Sequence, residues 1–171
     1  MSDPFLDCQV SADLFQARLS IERLICLYAE ALDAGDVERV AALFARGQIR
    51  INGMQVVHKG AEAVRDMFVR FTVFYDKQLQ PVDPTQTRGK PWTKHLSSNL
   101  RFESLTASAA ALWSDFTVLQ GLPGTELKPI VAGRYRDSFL CENGEWFFAD
   151  RLEFIDLVGD VSKHLKGNPL A

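Results

Sequence analysis

An aspartate and a histidine, far apart in sequence, are the strongest candidates for acid–base chemistry in this chain. Asp33 lies at the end of a predicted first helix, and His95 lies in a predicted strand. A histidine paired with a carboxylate is a competent general base near neutral pH. Each residue also has an ordinary structural explanation, since a helix-end aspartate can face water and a strand histidine can be structural. The sequence predicts a catalytic pair only if the fold brings Asp33 and His95 together.

Five further residues are candidates for substrate binding. Tyr28 lies on the apolar stripe of the first helix, so its hydroxyl needs a partner if the ring is buried. Asp115 shares a strand face with Trp113, which suits a pocket wall or equally an edge strand with its polar residues outward. Asn99 lies on the same predicted strand face as the histidine. Arg134 occupies a strand position from which an arginine could hold an anionic group, although a surface ion pair is the common alternative.

The chain lacks the motifs of the common cofactor-dependent and metal-dependent classes. It contains no Gly-x-Gly-x-x-Gly, no phosphate loop and no Gly-x-Ser-x-Gly elbow. The three histidines do not show the close His/Glu spacing of zinc enzymes. We therefore expect chemistry that uses no cofactor and no metal and relies on side-chain acids and bases.

Length and composition favour one globular domain over residues 1–171, with a flexible N-terminal extension at residues 1–11. The chain has 171 residues, of which 47% are hydrophobic and 24% charged, and a net charge of −3. No basic block or long apolar run is present, so we expect neither nucleic acid nor membrane as a partner. The three cysteines fit no disulfide or zinc pattern, and together with the acidic start they predict a cytoplasmic protein.

Hydrophobic periodicity predicts three helices before the main sheet. The first runs from about Asp13 to Leu32, and Gly35 is suited to end it. A second helix, capped by Asp36, runs to about residue 45, and a third covers residues 61–75. The segment 76–93 contains three prolines and is predicted to be irregular, either as a lid or interface or as a mobile surface loop.

In the remaining segments, hydrophobicity alternates with a period of two residues, which predicts strands. Helices packed on one face of a curved antiparallel sheet make the fold class α+β. The predicted strands are Gln48–Ile51, Gln55–His58, Lys94–Glu103, Ser108–Leu119, Ile130–Leu140 and Glu145–Leu157.

From about residue 12 onward, the order and spacing of several short runs resemble the SnoaL-like members of the nuclear transport factor 2-like superfamily. These runs are Ile21-Glu22-Arg23-Leu24, Tyr28 to Asp36, Leu43-Phe44, Gly60, His95 to Arg101, Gly133-Arg134-Tyr135, Gly144 to Phe148 and Gly159 to Leu165. The resemblance implies a cone in which a curled antiparallel sheet wraps the long first helix around an apolar cavity. It also implies a homodimer.

Several members of this superfamily are cofactor-independent enzymes, including scytalone dehydratase, bile-acid dehydratases, a hexachlorocyclohexane dehydrochlorinase and polyketide cyclases. The resemblance assigns the catalytic pair of the dehydratases and the dehydrochlorinase to Asp33 and His95. It places Tyr28 at a tyrosine of the bile-acid dehydratases, Asp115 at a strand carboxylate of that group, and Asn99 at an asparagine of the dehydrochlorinase-like pattern. It therefore predicts a lyase or isomerase, of dehydratase or cyclase type, that acts on a hydrophobic cyclic substrate.

The chain departs from scytalone dehydratase at two positions. Arg134 stands near the position of that enzyme's second histidine, and Leu32 stands where it has a tyrosine. Two other functions stay open. Gly133-Arg134-Tyr135-Arg136-Asp137 also resembles the beta subunits of aromatic-ring-hydroxylating dioxygenases, which act mainly as structural partners. A module that binds a hydrophobic ligand without turnover is the third possibility.

Overall fold

The computed structural model describes residues 11–167, and α1 (Ala12–Ala34) is the element around which they pack. Ser11 caps its first turn, because the serine hydroxyl accepts a hydrogen bond from the Leu14 amide. Gly35 ends it in the left-handed conformation (φ 69°), as its position predicts. The extension predicted for residues 1–11 lies, except for Ser11, outside the described residues.

The other two helices are shorter than their apolar periodicity predicts. Asp36 caps α2 (Val37–Leu43) by accepting a hydrogen bond from the Arg39 amide. The third helix, α3 (Gly60–Phe71), ends at the start of an aromatic and β-branched run at residues 71–75. There the chain becomes extended as β3 (Phe74–Tyr75), which pairs with β4 (Pro81–Val82). The end of the predicted helix and part of the predicted irregular segment therefore form a small two-stranded sheet.

Six strands form one curved sheet in the order β2-β1-β8-β7-β6-β5. The strands are β1 (Gln48–Ile51), β2 (Val57–Lys59), β5 (Thr93–Leu105), β6 (Ala109–Gln120), β7 (Lys128–Glu142) and β8 (Glu145–Val158). Neighbours are antiparallel as expected, except that β1 runs parallel to β8. Register shifts interrupt β5–β8, and such bulges bend and twist strands.

The two faces of the sheet differ in burial. Along β6 every second residue from Ala110 to Gln120 is buried, and the residues between them are half-buried on the other side. The inner face and α1 form one core, in which Ile21 and Ile25 of the helix and Phe116 of β6 are buried in the same cluster. The fold is therefore the predicted α+β arrangement. No helix within residues 11–167 is long and apolar enough to cross a bilayer.

The alternation predicted for β5 is wrong beyond Ser98. A bulge interrupts the pairing with β6 between Ser98 and Arg101, and Asn99 adopts a positive φ of 52°. As a result Leu100 packs against the core, whereas Arg101 is exposed on the outer face. A period of two cannot be extended through an extra residue, and nothing in the local sequence marks where the bulge occurs.

Candidate active site

A cavity of about 540 Å³ lies inside the curved sheet. Its wall is largely apolar and is shared by α1, α3, the inner face of the sheet and the C-terminal segment. Leu32, Phe68, Phe116, Val118 and Ile155 form part of this wall. Several lining side chains are polar, but most of the wall surface is apolar, and such a pocket suits a hydrophobic ligand held by a small number of hydrogen bonds.

At the cavity wall, Asp33 and His95 are in direct contact. Asp33 comes from the last turn of α1, and His95 comes from the start of β5, which packs along that helix. His95 Nδ1 lies 2.7 Å from Asp33 Oδ1, and both side chains are 11% exposed. The Asp33 carboxylate can only accept a hydrogen bond, so the uncharged His95 ring carries its proton on Nδ1 and leaves Nε2 unprotonated. His95 lines the cavity, so the ring is available to a ligand.

Backbone and side-chain donors around Asp33 keep its carboxylate in place. The His95 amide donates to both carboxylate oxygens, at 3.0 and 3.2 Å, and the Thr93 hydroxyl donates to Oδ1 at 3.2 Å. Lys94 Nζ lies 3.4 Å from Oδ2. Burial alone would raise the pKa of Asp33, but the hydrogen bonds and charge of His95 outweigh burial and lower it. Asp33 is thus an ionised group that orients His95 and would stabilise its protonated form.

A second polar group in the cavity is built around Tyr28. This tyrosine is buried on α1, and its hydroxyl lies 3.5 Å from Glu153 Oε1 on β8. Beneath them, Arg151 pairs with Asp137, and the Arg151 guanidinium stacks 4.1 Å from the ring centroid of Tyr28. Burial raises the pKa of Glu153 to about 7, despite the nearby Arg151 charge. Glu153 can therefore exist in both protonation states near neutral pH.

Glu153 and His164 line the cavity and were not among the sequence candidates. Glu153 shares the inner face of β8 with Ile155, so the period of two along that strand could have indicated it. His164 lies in the C-terminal segment after the last strand, which has no regular secondary structure up to residue 167, so hydrophobic periodicity could not predict where its side chain lies. Burial, together with the nearby His95 charge, lowers the pKa of His164 to about 4.

Two of the predicted substrate-binding residues, Asn99 and Asp115, contact each other on the outer face of the sheet. Asn99 Nδ2 donates to Asp115 Oδ2 at 2.6 Å. The β5 bulge turns Asn99 away from the cavity, and Asp115 lies between the buried residues Ser114 and Phe116 of β6.

Trp113 and Arg134 also lie on that outer face. Trp113 Nε1 donates to Glu103 at 2.7 Å, and Arg134 forms a two-bonded pair with Asp156. The Arg134 guanidinium lies 5.8 Å from the Trp113 ring centroid. The structure places Tyr28 and His95 at the cavity wall, with Asp33 in contact with His95, and leaves the other four candidates outside the cavity. Within residues 11–167, no group of three His, Cys, Asp or Glu side chains is placed to hold a metal ion.

The sequence model of one protein family, described as the SnoaL-like domain, matches residues 14–152 of the chain. The protein belongs to the SnoaL-like family. This confirms the family predicted from the sequence runs. No protein with a curated functional description matches the sequence of this SnoaL-like protein.

Solved structures share the fold of this SnoaL-like protein at low sequence identity. One is a Novosphingobium aromaticivorans protein assigned as a scytalone dehydratase, with a TM-score of 0.65, 19% identity and coverage of 88% of this chain and 91% of that chain. Another is a hexachlorocyclohexane dehydrochlorinase from Novosphingobium barchaimii, with a TM-score of 0.63, 19% identity and coverage of 93% and 97%.

A third neighbour belongs to a different functional class. It is a Novosphingobium aromaticivorans protein assigned as the beta subunit of an aromatic-ring-hydroxylating dioxygenase, with a TM-score of 0.65, 16% identity and coverage of 85% and 92%. At such identities these likenesses show the fold alone, and function has to be argued from the site.

Proposed function

We propose that this SnoaL-like protein is a cofactor-independent lyase or isomerase that removes a proton from a hydrophobic cyclic substrate. The observation that carries the proposal is the 2.7 Å contact between His95 Nδ1 and Asp33 Oδ1 at the wall of a largely apolar cavity. The contact lies within the range of a working acid–base hydrogen bond, and the free Nε2 is the proton acceptor.

In the proposed reaction, His95 Nε2 takes a proton from a carbon next to an activating group. The electron pair of the broken C–H bond forms a carbon–carbon double bond. In an isomerisation, the π pair of a double bond already in the substrate shifts to another carbon, and the imidazolium returns the proton to that carbon. In a dehydration, it gives the proton to the departing hydroxyl. Asp33 stabilises the charged ring throughout, and the apolar wall keeps water away from the reacting atoms.

Tyr28 and Glu153 would act at the substrate's polar substituents. In this proposal the Tyr28 hydroxyl donates to oxygen as negative charge develops there, and Glu153 supplies or accepts a proton near neutral pH. The names of the dehydratase and dehydrochlorinase neighbours denote eliminations, a reaction type in which a C–H bond is also broken. On the family resemblance alone, we also propose a homodimer, which sedimentation would test. The proposal of a cytoplasmic location rests instead on the three cysteines, which fit no disulfide pattern.

Deuterium incorporation tests the proposed step without knowledge of the natural substrate. A panel of cyclic ketones and hydroxyketones is incubated with the protein in D₂O, and exchange and elimination products are followed by NMR and mass spectrometry. Acid–base assistance contributes about 10²- to 10⁴-fold, so His95→Ala should reduce exchange by that factor. Asp33→Asn, which removes the charge that supports the imidazolium, should also reduce it.

The matched control is Arg134→Ala, which removes a polar group from the outer face and should leave exchange unchanged. Circular dichroism confirms that the variants fold. Exchange by His95→Ala at the wild-type rate would contradict the mechanism.

The same cavity favours a second candidate function, which is binding of a hydrophobic ligand without turnover. A carrier of this kind would bind panel members and show no exchange above background. A dioxygenase-type subunit would instead be recovered from its host with a larger partner chain. The His95–Asp33 contact favours the enzyme over both.

A further inference from the structure

We propose that His164 binds the carbonyl oxygen of the substrate through an Nε2–H donor, so that the site acts on ketones with a C–H bond next to the carbonyl. The inference rests on the proposed function, because it assigns the group that would receive negative charge when His95 removes the proton. It assigns a role to a side chain that the sequence did not indicate.

The backbone around His164 is held from several sides. The His164 carbonyl accepts a hydrogen bond from the Val73 amide at 2.8 Å. The preceding carbonyl, of Lys163, accepts from the Tyr75 hydroxyl at 2.7 Å and from Gln120 Nε2 at 3.1 Å. These contacts tie the C-terminal segment to the end of the sheet and to the chain that follows α3. They hold the His164 ring at the cavity wall, where His95 also lies.

The surroundings of the ring select one tautomer. His164 is only 9% exposed. Its Nδ1 atom is fully buried and has no hydrogen-bond partner, whereas Nε2 is not among the buried atoms that lack a partner. A proton on Nδ1 would bury an unsatisfied N–H group, which folded proteins rarely tolerate, and a buried lone pair is the less costly choice. The proton therefore resides on Nε2, on the ring edge that reaches the cavity. Burial lowers the pKa of His164 to about 4, so the donor is uncharged at neutral pH.

His95 and His164 are chemically complementary. His95 presents an unprotonated Nε2, because its Nδ1–H is directed at Asp33, whereas His164 presents an N–H group. When a C–H bond next to a carbonyl breaks, the proton moves to His95 and the C–H electron pair becomes the new carbon–carbon double bond. The carbonyl π pair then moves onto oxygen, where the His164 N–H stabilises it. This arrangement favours oxygenated substrates over halogenated hydrocarbons that lack a carbonyl group.

Matched probes isolate the predicted hydrogen bond. The bicyclic ketone α-tetralone and the hydrocarbon tetralin differ at the carbonyl, and both are small enough for the cavity. Their affinities are measured by equilibrium titration at pH 8, above the pKa of about 7 to which burial raises Glu153, so that its carboxyl is mostly ionised. Wild-type protein should prefer the ketone by roughly 2- to 10-fold, the ratio expected for one neutral hydrogen bond.

Three variants locate the donor. His164→Phe should lower the ketone preference while tetralin binding remains, and any residual preference is due to the Tyr28 hydroxyl. His164→Gln restores an N–H group near the position of Nε2 and should recover part of the preference. Lys163→Ala alters the same segment without removing the imidazole, and its ratio should equal that of the wild type. An unchanged preference in His164→Phe, or no preference in the wild type, would overturn the inference.

Deuterium exchange into α-tetralone separates this inference from the proposed function. If His95→Gln loses exchange while His164→Phe keeps both exchange and ketone preference, the function stands and the role of His164 is wrong. If the ketone preference depends on His164 but the wild type catalyses no exchange into any member of the ketone panel, His164 is a carbonyl-binding residue and the proposed function fails.

Discussion

Two arginine–aspartate pairs join β7 to β8, one on each face of the sheet. On the inner face, Arg151 Nε and Nη2 donate to Asp137 at 2.8 and 2.7 Å, and both side chains are 0% exposed. On the outer face, Arg134 donates to Asp156 through the same atoms at 2.7 and 2.9 Å, with exposures of 47% and 41%. The bonds are alike in type and length, so the two pairs differ mainly in contact with water.

The same contrast extends to the other titratable groups of the two faces. On the outer face, hydrogen bonds from Trp113 and Arg136 lower the pKa of Glu103, so its charged form is favoured. In the cavity that the inner face encloses, burial raises the pKa of Glu153 and lowers that of His164, so the uncharged forms are favoured. Groups that can change protonation near neutral pH are those useful for proton transfer. The cavity, and not the more highly charged outer face, is therefore the place for acid–base chemistry.

The largest effect should come from breaking the inner pair. Arg151→Met leaves Asp137 buried without a counter-charge and removes the stacking of Arg151 on the Tyr28 ring. Loss of one partner of a buried pair costs about 3–5 kcal/mol, so we expect a decrease of that size in the free energy of unfolding, measured by urea denaturation. Arg134→Met on the outer face should cause little change, because water solvates the remaining Asp156. Equal destabilisation by the two substitutions would contradict the comparison.

An intermediate effect should appear in the pH dependence of stability. Because the pKa of Glu153 is raised to about 7 in the folded protein, the folded state binds the proton more tightly than the unfolded state. The resulting stability is fully present below the unfolded pKa of about 4.3 and is lost as pH rises through 7. Glu153→Gln cannot ionise, so its stability relative to wild type should increase over this range by about 3 kcal/mol, at about 1.4 kcal/mol per pKa unit.

Glu103→Gln is the outer-face counterpart of that experiment. The lowered pKa of Glu103 means that its stabilising contribution is present above the unfolded pKa and is lost on acidification. Relative to wild type, this variant should therefore lose stability as pH rises, which is the opposite sign. The two variants are compared by thermal unfolding between about pH 3 and pH 8, because the Glu103 contribution changes below its unfolded pKa of about 4.3. Slopes of the same sign would contradict the assignment of the two faces.

The smallest effect should occur at the β5 bulge. Asn99 has a φ of 52°, which asparagine and glycine tolerate better than other residues. Asn99→Ala should cost about 1 kcal/mol in the free energy of unfolding, and Asn99→Gly should cost less. Neither should alter deuterium exchange, because Asn99 contacts Asp115 outside the cavity. A loss of exchange in Asn99→Gly would return this residue to the substrate-binding set.

Local sequence patterns were sufficient for the features that depend on neighbouring residues. The apolar stripe of α1, the glycine that ends it and the period of two along β6 come from interactions within one element, and the structure has them as predicted. The residue runs also identified the family, and with it Asp33 and His95 as a pair to examine. Their contact, however, joins the end of α1 to the start of β5, so it could be expected only by resemblance.

The remaining features were decided by tertiary structure, because each depends on residues that are distant in sequence. The β5 bulge removed Asn99 from the face of His95, although the local alternation predicts that they share it. Glu153 and His164 line the cavity because elements that are distant in sequence pack around them. The resulting burial raises the pKa of Glu153 and lowers that of His164. Sequence alone determined which acids and bases the protein has. Only the fold decided which of them water still reaches, and desolvation is the physical reason that otherwise ordinary side chains differ in chemistry.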